Sequence, residues 1–176
     1  MELQPSLNGK LVRTRPLLVE DFENLFIVAS DPLIWEQHPD PFRYQKEVFK
    51  KYFDSGVASK GCLIIEDSLL GEIIGSSRFY DLSEDRKQIT IGYTFLSRKY
   101  WGGEYNRELK HLMISHAFKS VYAVFFDVGS ENYRSRKALE KIGARLNSQK
   151  EKISRDGRKL VALMYSIQKS DFKGLL

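Results

Sequence analysis

Cysteine is nearly missing from this chain: Cys62 is the only one in 176 residues. A lone cysteine excludes an intramolecular disulfide and a cysteine-based metal cluster, and a reducing cytoplasm is the simplest home for such a sequence. Long apolar runs are missing too. No stretch reaches the roughly eighteen residues that a membrane-spanning helix needs. Met1-Glu2-Leu3-Gln4-Pro5 has neither the basic flank nor the apolar centre of a secretory leader. Charge is not piled into one block. The 28 basic and 23 acidic residues leave +5 along the whole chain, which does not by itself indicate a nucleic-acid partner. Histidine is scarce, and His111 and His116 stand without other ligands at metal-binding spacing, so both read as structural and no metal is expected. Internal repeats, low-complexity stretches and interdomain linkers do not occur.

What is present is ordinary for a globular protein: 42% hydrophobic and 29% charged residues. That length and composition support one domain, residues 1–176, with a substantial core.

The informative stretch runs from Gln88 to Gly143. Ile89, Ile91, Tyr93 and Phe95 alternate with Thr90, Gly92 and Thr94, which predicts a strand. Gly102 and Gly103 break the chain after it. From Glu104 to Lys119, Tyr105, Leu109, Leu112, Met113 and Ala117 fall on one helical stripe. A glycine turn feeding a helix leaves backbone N–H groups unpaired, and such a terminus binds anions, phosphate above all. Tyr122 to Val128 is a nearly unbroken apolar run, the mark of a strand buried on both faces. A polar turn and a second helix follow, with the spacing Asn132-x-x-Ser135-x-x-x-x-Glu140-Lys141-x-Gly143. Basic residues gather near both turns: Arg98, Lys99, Arg107 and Lys110, then Arg134, Arg136, Lys137 and Lys141. Each can serve a phosphate-bearing ligand or simply a solvated helix face.

The remaining elements read in order. Lys10 to Arg15 is a first strand at a sheet edge, stopped by Pro16. Glu20 to Ser30 is a helix, ended by Asp31-Pro32. Pro32 to Pro41, rich in proline and aromatics, is an ordered loop or a short helix. Gln45 to Ser55 is a second helix, with Gly56 and Gly61 in the turn after it. Strands are expected over Cys62–Glu66 and Leu70–Tyr80, the second containing Gly71 and Gly75, and Asp81–Lys87 is a polar loop. Ala144–Ile153 and Lys159–Gln168 form a hairpin around Arg155-Asp156-Gly157-Arg158.

Strand, glycine turn, helix, strand and an Asn-x-x-Ser helix together resemble the acetyl-CoA-binding half of the GNAT acetyltransferase superfamily. The segment Gly9-Lys-Leu-Val-Arg-Thr-Arg-Pro-Leu17 with Glu20-Asp21-Phe22, and Gly71-Glu-Ile-Ile-Gly-Ser-Ser-Arg-Phe79, are similar to its RimJ/RimL-like branch, which acetylates protein N-termini and sometimes small amines. The resemblance covers about residues 9–168. It implies a mixed α/β fold: about seven strands with central splayed parallel strands, and about four helices.

It also implies roles. Backbone groups of Phe95, Leu96, Ser97 and Arg98 would pair with the pantetheine arm of acetyl-CoA. The N–H groups of Gly102, Gly103, Glu104, Tyr105 and Asn106 would hold its pyrophosphate. Asn132 would contact the pantetheine, with Ser135 near the sulfur as a general acid for the departing thiolate and Arg136 beside them. Asn132 as a helix cap and Ser135 as a first-turn serine is the plainer alternative. Trp35, Arg78, Tyr80 and Tyr93 would line the acceptor side. Trp35 and Tyr93 also read as core residues, and Arg78 as an ion-pair partner of Asp81 or Glu84.

Acetyl transfer from a thioester to an amine needs a neutral amine, donors for the oxyanion and a proton for the thiolate. This sequence departs from the superfamily at three points. Glu104 ends the glycine loop where a small residue is usual, Leu139 replaces a tyrosine acid, and Thr90 replaces a glutamate base. Glu72, Asp81 and His38 are then the candidates to take a proton by residue type. The first reading is an acetyl-CoA-dependent N-acetyltransferase, acting on a protein or peptide N-terminal amine by direct transfer in a ternary complex. A small-amine acetyltransferase, a non-catalytic acyl-CoA sensor and an RNA-associated protein are the alternatives, and no aromatic-basic RNA motif supports the last. No membrane partner is expected, and pairing of two copies is left open because no heptad marks it.

Overall fold

The computed structural model describes residues 1–153, 157 and 159–174. Most of the tip of the C-terminal hairpin, Arg155, Asp156 and Arg158, lies outside the described residues, so the turn expected there is not assessed. The strands are β1 (Leu7–Asn8), β2 (Val12–Pro16), β3 (Cys62–Asp67), β4 (Ile73–Ser83), β5 (Gln88–Leu96), β6 (Ala123–Gly129), β7 (Arg145–Ile153) and β8 (Lys159–Gln168). The helices are α1 (Phe22–Ala29), α2 (Lys46–Ser59), α3 (Tyr105–Ala117) and α4 (Tyr133–Lys141). All eight strands form one sheet in the order β1-β2-β3-β4-β5-β6-β8-β7. The extra strand relative to expectation is β1, a two-residue edge that covers β2, so the strand around Val12 is not the edge.

Every pairing is antiparallel except β5 with β6. That parallel pair is in register only from Gln88↔Ala123 to Thr90↔Phe125. Yet β5 runs on to Leu96 and β6 to Gly129. Beyond Thr90 the two strands part, and each leaves one edge of backbone unpaired.

A bulge sits at the same level. Ser76 faces Phe95 and Arg78 faces Gly92, so two residues along β4 span three along β5. The insertion reverses the phase of the strand. Ile89 and Ile91 enter one core cluster, but Phe95, four residues after Ile91, enters the other. Strict alternation, as expected from sequence, therefore fails at Tyr93. Its φ is +53°, a left-handed conformation that costs a non-glycine residue about 1–2 kcal/mol. The Tyr52 hydroxyl holds it there, donating to the Tyr93 carbonyl at 2.6 Å.

The two clusters lie on opposite faces of the sheet. One packs α3 and α4 on aliphatic groups: Leu109, Met113, Ile114 and Leu139 against Ile65, Ile89, Ile91 and Val124. The other packs α1 and α2 on the sheet with a larger share of rings, Trp35, Phe49, Tyr52, Phe53 and Phe95, beside Leu17, Leu25, Ile34 and Ile64. Glycines permit the close approaches. A Cβ on Gly75 would lie 2.0 Å from the Phe95 carbonyl oxygen. Gly56 is not in a turn, as expected, but inside α2. A Cβ there would meet Arg78 Nη2 and Leu17 at 3.1 Å, so its role is to let the helix lie on the sheet. β4 likewise continues through Asp81 to Ser83, into the expected loop. At the far end, Glu108 of α3 accepts hydrogen bonds from the N–H groups of Lys10, Leu11 and Val12 at 3.0, 2.7 and 2.9 Å, tying the helix to the start of β2.

Candidate active site

The opening between β5 and β6 is bordered by three things: the glycine turn before α3, the polar turn before α4, and the bulge at Tyr93. Gly102 takes φ +73°, which explains glycine there, while Gly103 adopts no such angle. Instead, space is open where a Cβ on Gly103 would stand. The first α3 bond joins the Glu108 N–H to the Glu104 carbonyl at 2.8 Å. The N–H groups from Gly102 to Arg107 find no acceptor among the described residues, and the helix dipole adds to their positive potential. Glu104 does not oppose an anion as its charge alone suggests, because Arg107 pairs with it at 3.0 Å. An open approach with six free donors is what a pyrophosphate requires.

The basic cluster expected around these turns is largely spent. Arg98 pairs with Asp31, and Lys99 with Glu72 at 3.1 Å. Arg136 donates to the Ser130 carbonyl at 2.9 Å and lies near the Tyr165 hydroxyl, so its guanidinium braces the turn. Arg134, which was not among the expected contacts, stacks on Trp101 at 3.8 Å. It also donates to the Ile34 carbonyl at 3.0 Å, and its N–H reaches Gln37 Oε1. It thus ties α4, the glycine turn and the 32–38 loop together.

At the second turn, Asn132 Oδ1 accepts from the Ser135 N–H at 3.1 Å. Asn132 is therefore the helix cap, but its amide NH2 and the Ser135 hydroxyl have no partner among the described residues and remain available. Leu139 is buried in the aliphatic core, so no side chain there replaces the missing tyrosine acid.

The expected acceptor residues come together around Tyr52, which the sequence did not single out. Its ring centroid lies 6.1 Å from those of Trp35 and Tyr93, and Tyr80 and Tyr93 meet at 5.2 Å. Trp35 is corrected as a direct contact: it is 3% exposed, and its indole N–H donates to the Ala29 carbonyl at 2.7 Å. It anchors the loop beneath the acceptor face. Tyr93, for which the core was the alternative, is 41% exposed and faces the cleft. Arg78 makes no ion pair with Asp81 or Glu84 among the described residues. It lies under Tyr93, with its guanidinium carbon 4.2 Å from the ring centroid. Burial and the nearby Asp127, Tyr93 and Asp81 raise the Tyr80 phenol well above its ordinary pKa, so it is protonated at neutral pH.

None of the three proton acceptors expected by residue type stands well placed. Glu72 is exposed, and the Tyr100 hydroxyl and Lys99 hold its carboxyl below the usual range. Asp81 lies beyond the bulge with an exposed side chain. His38 is pushed down to about 3 by burial and by Arg43, which makes it a weak base. The carboxylate missed by sequence reading is Asp127. Continuing the β5–β6 register puts it level with Gly92. It follows Phe126, which enters the aliphatic cluster, so it projects to the aromatic face. Its charge within an otherwise apolar strand was the signal. Lys152 pairs with it at 2.5 Å.

Lys110 was read as one member of the basic surface cluster and is instead buried. It donates to Thr94 Oγ1 at 2.7 Å and lies 5.7 Å from the Phe126 ring centroid, on the aliphatic face where β5 and β6 part. Burial pushes its pKa down to about 7. Among the described residues no group of three or more His, Cys, Asp or Glu side chains is placed to hold a metal, and no helix is long and apolar enough to cross a membrane.

A mixed sheet whose one parallel pair parts beside a glycine-fed helix is the arrangement that the resemblance to acetyl-CoA-dependent transferases implied. The family profile of the GNAT acetyltransferase domain matches residues 12–145. The chain therefore belongs to the GNAT acetyltransferase family, and acetyl-CoA is its acetyl donor in N-acetylation. Solved structures agree on the fold. A GCN5-related N-acetyltransferase from Brucella melitensis superposes with a TM-score of 0.82 at 19% identity, over 96% of this chain and 80% of the other. A ribosomal-protein-S5-alanine acetyltransferase from Vibrio fischeri gives 0.71 at 18%, over 97% and 100%. Mycobacterium smegmatis RimJ, in complex with CoA-disulfide, gives 0.73 at 17%, over 94% and 87%. No curated protein gives a significant sequence match.

Proposed function

We propose that the chain acetylates the N-terminal amine of a protein or peptide, by direct transfer in a ternary complex. The observation that carries this reading is the parting of β5 and β6 after Thr90. It leaves the edge of β5 beyond Thr90 without a strand partner for the pantetheine arm, between two helix N-termini and below an aromatic acceptor face, although the Leu96, Ser97 and Arg98 carbonyls already accept from Trp101 Nε1 and from the Tyr100 and Trp101 N–H groups. Bound acetyl-CoA supplies the activated acetyl group. The N–H groups of Gly102 to Asn106 hold its pyrophosphate, and the Asn132 amide holds the arm. The Ser135 hydroxyl gives a proton to the departing thiolate. Asp127, across the opening from Gly92, takes the proton of the amine, directly or through water. Tyr80 and Tyr93 position the acceptor, and positioning alone is worth several kcal/mol.

The protein acceptor is supported by the likeness of Gly9–Leu17, Glu20–Phe22 and Gly71–Phe79 to the RimJ/RimL-like branch, and by the exposed shelf that Tyr93 makes. Work in a reducing cytoplasm fits Cys62, whose thiol is buried and pushed up by that burial. The test is acetyl-CoA-dependent thiol release with peptides bearing Ala, Ser or Met N-termini, beside polyamines and aminoglycosides. Release with peptides alone supports the reading. Release with small amines alone replaces it by small-amine acetylation, and silence with acetyl-CoA bound replaces it by a sensor.

A further inference from the structure

Positive charge on the acceptor face is out of balance. Arg78 is 5% exposed. Its Nη2 donates to Ser55 Oγ at 3.2 Å and makes a long 3.5 Å contact with the Tyr52 carbonyl, while its Nε is buried with no partner. Arg43 approaches the same tyrosine. Its guanidinium carbon lies 4.7 Å from the Tyr52 ring centroid, and that of Arg78 lies 5.8 Å away. The one carboxylate near Arg43, Asp40, stands at 3.6 Å and is itself half-exposed. Its other neighbour brings no negative charge: Arg43 Nη1 lies 3.1 Å from Nε2 of the His38 ring, which accepts from it when the ring proton is on Nδ1.

Buried guanidinium groups are ordinarily paired, because desolvating a charge costs several kcal/mol. Aromatic contacts and one hydroxyl return only part of that. Of the two groups around this ring, Arg78 has an empty donor and no carboxylate partner among the described residues, and Arg43 has only the half-exposed Asp40. The place is specific. Arg78 stands opposite Gly92, two residues past the last paired position of β5, where the cleft opens. Tyr93, held left-handed by the bulge, lies over it.

We propose that Arg78 and Arg43 form an anion subsite in the acceptor half of the cleft, and that the acceptor is a peptide with a carboxylate in its first few residues. This rests on the peptide reading above and narrows it. The carboxylate supplies the missing counter-charge, with Tyr93 as the movable cover of the subsite.

The test uses peptides identical except for Asp, Asn or Lys at the second position, with kcat and KM measured separately. Asp is expected to exceed Lys at least about tenfold in kcat/KM, carried in KM, with Asn between. Arg78→Met and Arg43→Met should each bring that ratio within about twofold while acetyl-CoA still binds. Arg78→Lys, a milder change, should keep the preference in part. Loss of activity on all three peptides alike would mean that Arg78 only packs, and would overturn the subsite. So would equal use of the three peptides, or a preference that survives both substitutions. Binding of the same peptides to the CoA-bound protein gives the ratio without turnover. If peptides fail while glutamate is preferred over glutamine as a free amine, the peptide reading falls and the subsite stands.

Discussion

The two faces of the sheet solve burial differently. The face under α3 and α4 is mainly aliphatic, with rings such as Phe79, Phe126 and Tyr165 among the side chains, and it buries Lys110 and Asp67. The face under α1 and α2 is built from stacked rings and holds two guanidinium groups. Aliphatic packing is filled by shape alone. Aromatic faces carry a negative quadrupole and accept cations. The aromatic face can therefore keep polar groups near the opening of the cleft, whereas the aliphatic face serves as a rigid support. The two meet at the β5 bulge, which shifts the strand by one residue and gives Tyr93 to the cleft.

Forcing the strands apart at that meeting point should have the largest effect. Gly75→Ala puts a Cβ 2.0 Å from the Phe95 carbonyl oxygen, which only backbone movement relieves. We expect a loss of about 3–5 kcal/mol in unfolding free energy, read by denaturant titration. A loss below about 1 kcal/mol would mean that the strands adapt and that the two faces are not rigidly joined there.

Activity should separate the roles at the opening next. Asp127→Asn should lower kcat by about 10²–10³-fold at neutral pH. Ser135→Ala should lower kcat by about 10–100-fold with acetyl-CoA affinity unchanged. If Asp127→Asn leaves kcat intact, Lys152 and Asp127 form only a structural pair across β6 and β7.

The elements around the glycine turn and the Asn132 cap were legible in the sequence, and the arrangement around Tyr52 was not. The glycine turn, the Asn132 cap and the strands around them are local patterns, and local patterns survive in a linear reading. The bulge is a pairing event between β4 and β5, invisible along either strand, so strict alternation grouped Tyr93 with Ile89 and Ile91 although it leaves their face. Gly56 read as a turn because glycine usually breaks helices; only the nearness of Arg78 and Leu17 explains it. Arg43 reaches the cleft through a loop with no periodicity to follow. Two signals were legible and unused. Asp127 interrupts an apolar strand, and Lys110 lies in step with Met113, Ile114 and Ala117, at helical spacings of three, four and seven, on the buried side of α3.

The lysine provides a slower test of the comparison, through pH. In the unfolded chain Lys110 titrates near 10.5, and in the fold burial pushes it down to about 7. Between these values the unfolded state holds more protons than the folded one, so stability should rise as pH increases from about 7 toward 10.5. Below about 7 both states are charged and the full cost of burying the ammonium remains. Lys110→Met should therefore stabilise the protein by a few kcal/mol at pH 6 and by much less at pH 10. Denaturant titrations of both proteins at the two pH values measure the difference.

The smallest expected effect separates the two glycines of the turn. Gly102→Ala forces a side chain into φ +73° and should cost about 1 kcal/mol of stability. Gly103→Ala meets open space and should leave stability within about 0.5 kcal/mol, while weakening acetyl-CoA binding several-fold because the methyl group occupies the approach to the α3 N–H groups. If Gly103→Ala binds acetyl-CoA as the native chain does, the pyrophosphate does not sit on this turn. Its contacts would then have to come from the α4 side, where Lys137 and Lys141 have no ion-pair partner among the described residues.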